Sequence, residues 1–539
     1  MSLYRTHISI LSDIAHSHPE ANAFQVPQYH PATTEILRWH PVTYSRFFAD
    51  VEHFAKYWSH WLSSQGVPRR SVVGVWLGGS TYLDCVHIYS IVRAGYIPQF
   101  FSLRLPEPTI IFELLAKSSG KALIYDDSFS STMPSSASVP IKVAADIRTE
   151  SITDFSLPPI VEPHHGDDTL MIFHTSGSTS GQPKVIRCSY SWWDACLTKS
   201  RECVVPKNPA RQDVTIWMGS MCHIGQTFMF SGSLQHASCT VQTSSQAFSS
   251  SELMDMVARC GLNRMNIFPT FLVKHLRTSR QDPKLLGMLQ NLDEIFYSGL
   301  MLGQEDEEWV HRHGIKLRNC FGNTECGAML LSDPEWKGLN APLVPMDGTS
   351  YGFFPIASSS ESTSGHQNAN NRFLELVILS TSPDCPDPAL RAADGHYHTG
   401  DLFIEVSPGR YVSRGRDDDW IKSETSLRCD TKAIEDNVRV TCPDLIEDCI
   451  VVGNGRPSPT LFIEMKAGLS EEKVKKDIVR RTRQFHARRY LHEKITSTRF
   501  IVVVPKNTLP RTASKGNIRR RAVEETYKVE LDRIYGVEY

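Results

Sequence analysis

No stretch of this sequence is apolar for long enough to cross a bilayer. Its start offers no secretory core either, since the residues after Met1-Ser2-Leu3-Tyr4-Arg5-Thr6-His7 are interrupted by Asp13, His16, His18 and Glu20. The last residues, Gly536-Val537-Glu538-Tyr539, form no peroxisomal address. An excess of charge is also missing: 57 Lys and Arg face 59 Asp and Glu, a formal net charge of −2, so no nucleic acid or other polyanion is implied as a partner. The 13 cysteines are odd in number, scattered, and never in a C-x-x-C pair, which argues against a disulfide framework or a zinc site and for reduced thiols. These absences lead to the expectation of a cytoplasmic protein without membrane insertion.

With 539 residues, 41% hydrophobic and 22% charged, the chain is long enough for one large and one small domain. Val72-Val73-Gly74-Val75-Trp76-Leu77 reads as a buried strand, Tyr82 to Ala94 as a helix ending at Gly95, and Ala122-Leu123-Ile124-Tyr125 as the next strand. This alternation predicts an α/β fold with largely parallel sheets and flanking helices. The Ser-rich stretches Ser128 to Ser138 and Ser358 to Asn371 read as exposed insertions, with too little apolar surface to offset the entropy of ordering. Beyond Asp418 a second pattern follows: strands at Cys449 to Val452, Thr460 to Glu464 and Phe500 to Val504, with a helix from about Glu471 to Tyr490. It predicts a small α+β lid over residues 418–539, after a large domain over 1–417. The basic residues of that helix, from Lys473 to Arg489, read either as a solvated face or as a dock for an acidic carrier protein or a CoA phosphate.

Three separated stretches carry chemistry that suits a nucleoside triphosphate. Thr175-Ser176-Gly177-Ser178-Thr179-Ser180-Gly181-Gln182-Pro183-Lys184 combines glycines, whose backbone N–H groups approach phosphate closely, with hydroxyls and a mobile cation. It is not a Walker loop, because Gln182 and Pro183 intervene before Lys184, and Val185 is no Mg²⁺-binding hydroxyl. Asn319-Cys320-Phe321-Gly322-Asn323-Thr324-Glu325 places an aromatic ring before a glycine turn and ends in a carboxylate, a hard oxygen ligand for Mg²⁺. Tyr397-His398-Thr399-Gly400-Asp401 supplies an acceptor for ribose hydroxyls. Taken singly, each has a plainer reading as a surface loop or a turn.

In this order the set resembles the adenylate-forming superfamily of acyl-CoA synthetases, luciferases and peptide-synthetase adenylation domains. Gly415-Arg416-Asp417-Asp418-Asp419-Trp420-Ile421-Lys422 looks like that family's hinge, and Leu509-Pro510-Arg511-Thr512-Ala513-Ser514-Lys515-Gly516 like its terminal lysine loop. The resemblance implies ATP and Mg²⁺ as cofactors and a small carboxylic acid as substrate. Thr175, Ser176, Gly177, Ser178, Thr179, Gly181 and Lys184 would hold the β- and γ-phosphates, Thr324 the α-phosphate and Glu325 the Mg²⁺. Adenine would lie between Phe321, backed by Gly322, and Ser298-Gly299-Leu300, with Asn319 at its amino group; Asp401 and Arg416 would hold the ribose. Lys515 would bridge the attacking carboxylate and the α-phosphate, and Asp418 would be the pivot of the lid.

His223, in Met221-Cys222-His223-Ile224-Gly225, matches a position that gates the acid pocket in acyl-activating members, and its plainer reading is a core histidine with a satisfied hydrogen bond. Gly225, Phe268, Asn323 and Met329 complete the candidate pocket, together with the Ser298 to Leu300 wall. Amino-acid-activating domains place an aspartate hereabouts, whereas no acidic residue occurs between Ile216 and Cys239; an acid without an α-amino group is therefore expected, because a buried ammonium lacking a partner is costly.

Three departures from the family pattern stand out. The phosphate loop carries one extra residue, most simply Ser180. Ser514-Lys515-Gly516 inverts the usual Ser-Gly-Lys, as in fungal reductase-like members, and Ile421-Lys422-Ser423-Glu424 and Arg428 to Glu435 share that fungal style. Ser423-Glu424-Thr425-Ser426 also stands where thiol-transferring members carry a glycine, and bulk there could obstruct a pantetheine arm. The expected activity is ATP-dependent acyl adenylation followed by transfer to CoA or a carrier-protein phosphopantetheine. The alternatives are capture of the adenylate by an amine, or a nucleotide-binding protein without turnover.

Overall fold

The computed structural model describes residues 4–536 other than 34, 153, 176–183, 300, 340, 356–373, 417–420, 426, 512–517 and 519. They form two compact units, one from most of residues 1–414 and one from Gly415–Tyr539 with the short segments Arg104–Ile110 and Thr175–Lys184.

In the larger unit, a six-stranded sheet is organised around Val72–Leu77, an almost continuously buried run that pairs in parallel with Ile97–Ser102 on one side and Ala122–Tyr125 on the other. The helix Tyr82–Arg93 begins where Thr81 and Asp84 cap each other's backbone N–H groups at 3.1 Å and stops before Gly95, whose φ of +88° suits a residue without a Cβ. Both elements fall where the sequence pattern puts them. The Ser128 to Ser138 stretch is exposed but anchored, since Phe129 stacks on Trp76 with ring centroids 3.8 Å apart. The Ser358 to Asn371 stretch lies outside the described residues.

A nine-stranded sheet carries two of the three motifs. Arg264–Ile267, Glu294–Ser298 and Leu317–Asn323 pair in parallel, and from Leu317–Asn323 onward the pairings among the described residues, with Gly327–Ser332 and the strands beyond it, are antiparallel. The fold is thus α/β, with parallel-rich pairing in the six-stranded sheet and an antiparallel half added here. The change of direction occurs at the strand that holds Asn319 to Asn323.

One early helix, His7–Ser17, is fastened to the interior of this unit. His7 is buried against Tyr89 and Trp193, at 4.7 and 6.2 Å between centroids, and burial pushes its pKa down to about 3. Just before it, Arg5 donates to Asp194 Oδ1 at 2.6 Å and to Thr198 Oγ1 at 2.7 Å, both on the helix Tyr190–Cys203.

The smaller unit is a three-stranded sheet, Ile446–Val452, Thr460–Met465 and Ile501–Val504, covered on both faces. The period of two sorts its side chains: Cys449, Val451, Leu461, Ile463 and Ile501 pack with helix residues Ile434, Val438, Val474 and Ile478, while Ile450, Val452, Phe462 and Val504 pack with Val523 and Leu531. The basic helix Glu471–Ala487 is largely neutralised by its neighbours, through Lys475–Glu471, Lys476–Glu472, Arg480–Asp477 and Arg481–Asp444 ion pairs. A solvated, internally paired face describes it better than an open cationic dock. No helix among the described residues is long and apolar enough to cross a membrane.

Candidate functional site

The second motif is a β-hairpin rather than a loop. Asn319 to Asn323 form the end of one strand, Thr324–Glu325–Cys326 the turn, and Gly327–Ser332 the return strand. Gly322 is therefore not in a turn. It sits in the strand beside a bulge, and its need for glycine is close approach: a Cβ there would lie 2.4 Å from the Gly327 carbonyl oxygen and 3.1 Å from the Ala328 Cα. Gly327, at φ +69°, supplies the left-handed residue that closes the turn. Asn323 fixes the turn through its Oδ1, which accepts the Cys326 N–H at 2.8 Å. Its Nδ2 is buried without a hydrogen-bond partner among the described residues, an orphaned donor that a phosphate or carboxylate oxygen would satisfy.

Glu325 is 8% exposed and has no salt bridge among the described residues, so a hard cation suits its carboxylate. No cluster of three or more His, Cys, Asp or Glu side chains that could cage a metal occurs among the described residues. That fits Mg²⁺, which is held by one or two carboxylates and by substrate phosphates rather than by a protein cage. Glu325 also helps to raise the thiol pKa of Cys188, although burial is the larger cause.

Beneath the turn lies a charge that the motif does not announce. Lys199, 3% exposed, donates from Nζ to the carbonyls of Cys326 at 2.6 Å and Ala328 at 2.7 Å and to Asp384 Oδ2 at 2.5 Å. Asp384, fully buried, also accepts from Ser382 Oγ at 2.5 Å and from the Tyr351 hydroxyl, and its carbonyl accepts Trp192 Nε1–H at 3.1 Å. Burial by itself would lower the Lys199 pKa, but Asp384, Cys196 and Cys326 carry it above its ordinary value, and the side chain is charged.

The residues expected to face adenine lie at the adjoining strand end. Ser298 pairs with Cys320, and Gly299 follows at φ +104°. Asn319 is buried, its N–H held by Ser332 Oγ at 2.9 Å, and its Nδ2 donates to the Met301 sulfur at 3.2 Å. Phe321 meets Phe403 edge-to-face at 5.0 Å. Phe403 lies two residues beyond Asp401 on the strand Tyr397–Ser407, so the second and third motifs share one aromatic cluster. Asp401 is 2% exposed; its N–H is bound by Thr399 Oγ1 at 3.0 Å, and Thr399 donates to the Leu376 carbonyl at 2.7 Å.

His223 is the N-cap residue of the helix Ile224–Gln235, and the backbone before it is bolted in place. Ser220 Oγ donates to the Gly78 carbonyl at 2.6 Å, Met221 N–H to Gly79 at 2.6 Å, and Gln226 Oε1 accepts the N–H groups of Met218 and Gly219 at 2.9 and 3.0 Å. Gly225 leaves space, since a Cβ would meet only the Met218 methyl at 3.7 Å. Phe268 lies against Gly219, a Cβ on which would touch its ring at 3.3 Å. Three residues beyond Gly225 on the helix Ile224–Gln235, Phe228 packs against Gly327, joining this wall to the Glu325 hairpin. Met329, at 0% exposure, packs in the core with Leu330, Leu376 and Phe403.

Thr175 closes the strand Thr169–Thr175 and Lys184 opens the strand Lys184–Ser189, exposed. Ser176, Gly177, Ser178, Thr179 and Gly181 lie outside the described residues, as do Leu300, Asp418 and Lys515, and so does the side chain of Arg416, which ends the strand Arg410–Arg416. Sequence reasoning missed Lys199, Asp384, Tyr351 and Met301. A signal for Lys199 was present: Trp192, Cys196, Lys199 and Cys203 follow helical spacing, which puts a lysine on an apolar stripe.

A sequence model of the AMP-binding enzymes matches residues 15–350, and one of the AMP-binding enzyme C-terminal domain matches 418–538. The chain belongs to the AMP-binding enzyme family. It is an ATP-dependent, carboxylate-activating ligase of the adenylate-forming superfamily, acting on small carboxylic acids. It is 36% identical to the AMP-binding domain-containing enzyme iboA of Amanita muscaria (strain Koide BX008), over 95% of this chain and 99% of that protein. The adenylate-forming reductase stbB of Stachybotrys bisbyi is 23% identical over 84% of this chain, which spans 41% of the reductase. Two solved structures share the fold. An o-succinylbenzoate CoA synthetase of Bacillus subtilis has a TM-score of 0.69 at 16% identity, covering 96% of this chain and 98% of its own. An NRPS protein containing adenylation and PCP domains has a TM-score of 0.67 at 18% identity, covering 97% and 84%.

Proposed function

We propose that the enzyme activates a small carboxylic acid lacking an α-amino group and hands the acyl group to a thiol, CoA or a carrier-protein phosphopantetheine. The observation that carries the substrate reading is the uncharged wall from Trp217 to Gly225, with no carboxylate anywhere between Ile216 and Cys239 to meet an ammonium.

Two anions must meet for a carboxylate to attack the α-phosphorus of ATP, so alignment and charge screening are the protein's tasks. Thr324 would hold the α-phosphate, Asn323 Nδ2 would donate to an oxygen of ATP or of the acid, and Lys515 would bridge the two reactants. Ser298, Gly299 and Phe321 would enclose adenine, with Asn319 at its edge, and Asp401 with Arg416 would bind the ribose. Mg²⁺ held by Glu325 screens the phosphate oxygens when bound. The lid is taken to run from 418 and to pivot at Asp418.

The thiol reading is supported at the position of the missing glycine. Ser423 and Thr425 are buried, their hydroxyls 3.1 Å apart, and Ser423 Oγ accepts the Leu427 N–H at 3.1 Å. Thr425 Oγ1 also accepts from the Arg104 guanidinium, so both hydroxyls are engaged within the protein.

The test supplies purified enzyme with ATP, Mg²⁺ and an acid library, reads pyrophosphate, then adds CoA, a phosphopantetheinylated carrier protein or a panel of amines to each acid that turns over. Thioester is the expected product by mass spectrometry. Enzyme-dependent amide without thioester would replace this reading with an amide ligase, and preference for α-amino acids would overturn the substrate class.

A further inference from the structure

Lys199 is the one feature near the site whose burial, charge and contacts have no role in the chemistry so far. Its ammonium has three protons, and each has a short acceptor: the carbonyls of Cys326 and Ala328, and Asp384. The Cys326 carbonyl belongs to the Cys326–Gly327 peptide, one residue beyond Glu325. The N–H of Cys326 is held from the opposite direction by Asn323 Oδ1. The peptide groups on both sides of Cys326 are therefore pinned, one by an amide and one by an ammonium, and the backbone carrying Glu325 has little freedom to tilt. Asp384 is held in turn by Ser382, Tyr351 and Lys199, so the anchor is rigid.

A buried ion pair is a poor device for stability alone, because apolar residues of similar volume fill such a site as well or better. Its contacts are with two carbonyls of the hairpin that carries the carboxylate. We propose that Lys199, locked by Asp384 and Tyr351, is a positioning residue that sets the aim of the Glu325 carboxylate and so tunes the enzyme's affinity for the Mg²⁺ of MgATP. This rests on the assignment of Mg²⁺ to Glu325 above. Lys199 acts through the backbone of the turn and touches neither ATP nor the acid in this role.

The test uses ATP binding, which needs no acid substrate. Binding is measured by isothermal titration calorimetry across a Mg²⁺ series for wild type and for the double variant Lys199→Met, Asp384→Asn, which removes both charges together and leaves no lone buried ion. The half-saturating Mg²⁺ should rise about tenfold, the scale on which outer partners of a metal ligand act, while ATP affinity without Mg²⁺ stays within about twofold. A folded double variant with the wild-type Mg²⁺ dependence overturns the proposal. So does an equal loss of ATP affinity with and without Mg²⁺, which would mean general disorder of the site. Should the double variant fail to fold, Tyr351→Phe decides: it removes one donor to Asp384 and leaves the ion pair, and a rise of about two- to threefold in half-saturating Mg²⁺ is expected, with no change refuting the link. If wild-type ATP binding itself ignores Mg²⁺ and the Glu325→Gln variant matches it, the assignment of Glu325 fails instead, which is a distinct result.

Discussion

His398 and Glu375 face each other across neighbouring strands, Nδ1 to Oε2 at 3.1 Å, while the other oxygen of Glu375 accepts the Gly400 N–H at 3.0 Å, one residue before Asp401. Asp394 closes on the opposite ring nitrogen at 2.9 Å, and the hydrogen bonds to Asp394 and Glu375 raise the His398 pKa above 6.5. A raised folded value means that the imidazolium contributes stability below about pH 6.5 and that this contribution is lost as pH rises through the folded value. With the side chain 41% exposed, the effect is modest. His398→Gln should therefore lower Tm below pH 6.5 and leave it unchanged at alkaline pH, in melts across a pH series. An equal deficit at every pH would show that the pair carries no charge linkage.

Lys515→Ala should cripple adenylation and spare ATP binding, because in the proposed mechanism the lysine would meet charge that develops in the transition state. Loss of one such group costs about 3–4 kcal/mol, hundreds-fold in rate. Acid-dependent pyrophosphate exchange near the wild-type rate would remove Lys515 from the chemistry.

Gly322→Ala should damage both the fold and the site. The new methyl would stand 2.4 Å from a backbone oxygen, which cannot swing aside as a flexible side chain would, so the hairpin must separate. Overpacking of this kind costs about 1–3 kcal/mol, readable in urea denaturation, and Mg²⁺-dependent ATP binding should weaken with it. An alanine variant with wild-type stability would show that the strands part freely.

All 13 cysteines are buried and free, and burial raises the pKa of Cys196, Cys222, Cys239, Cys260 and Cys449 to about 12. The thiolate is the reactive form, so the native enzyme should react negligibly with a thiol reagent at neutral pH and yield its full titre in denaturant. Rapid modification of the native protein would contradict the packing.

Asp418→Pro should separate the two half-reactions, since proline fixes φ and removes a donor at the proposed pivot. Pyrophosphate exchange and acyl transfer measured on one preparation should change in different proportion. Wild-type values for both would move the pivot elsewhere.

Local signals in the sequence held wherever they were self-contained. Val72–Leu77 is a strand because its own residues suit burial on both faces, and Tyr82–Arg93 starts where Thr81 and Asp84 satisfy each other's backbone. The motif Asn319 to Glu325 was legible as chemistry but not as shape: a glycine needed for strand–strand approach and a glycine needed for a turn read the same until the partner strand is known. Lys199 and Asp384 stand 185 positions apart, and neither had a local cue to the other.

The grip of Arg5 on Asp194 and Thr198, and of His7 on Trp193, has a practical side. Those three partners lie within two turns of the helix Tyr190–Cys203, which presents Lys199 to the Glu325 hairpin. Trimming the first seventeen residues would strip Ile8, Ile10 and Leu11 from the core, whereas a bulky tag fused flush against Arg5 would loosen only the outer side of the helix that carries Lys199. On the role proposed for Lys199, a tag placed there should weaken the Mg²⁺ dependence of ATP binding, and the resulting weak activity would be read as a wrong choice of substrate.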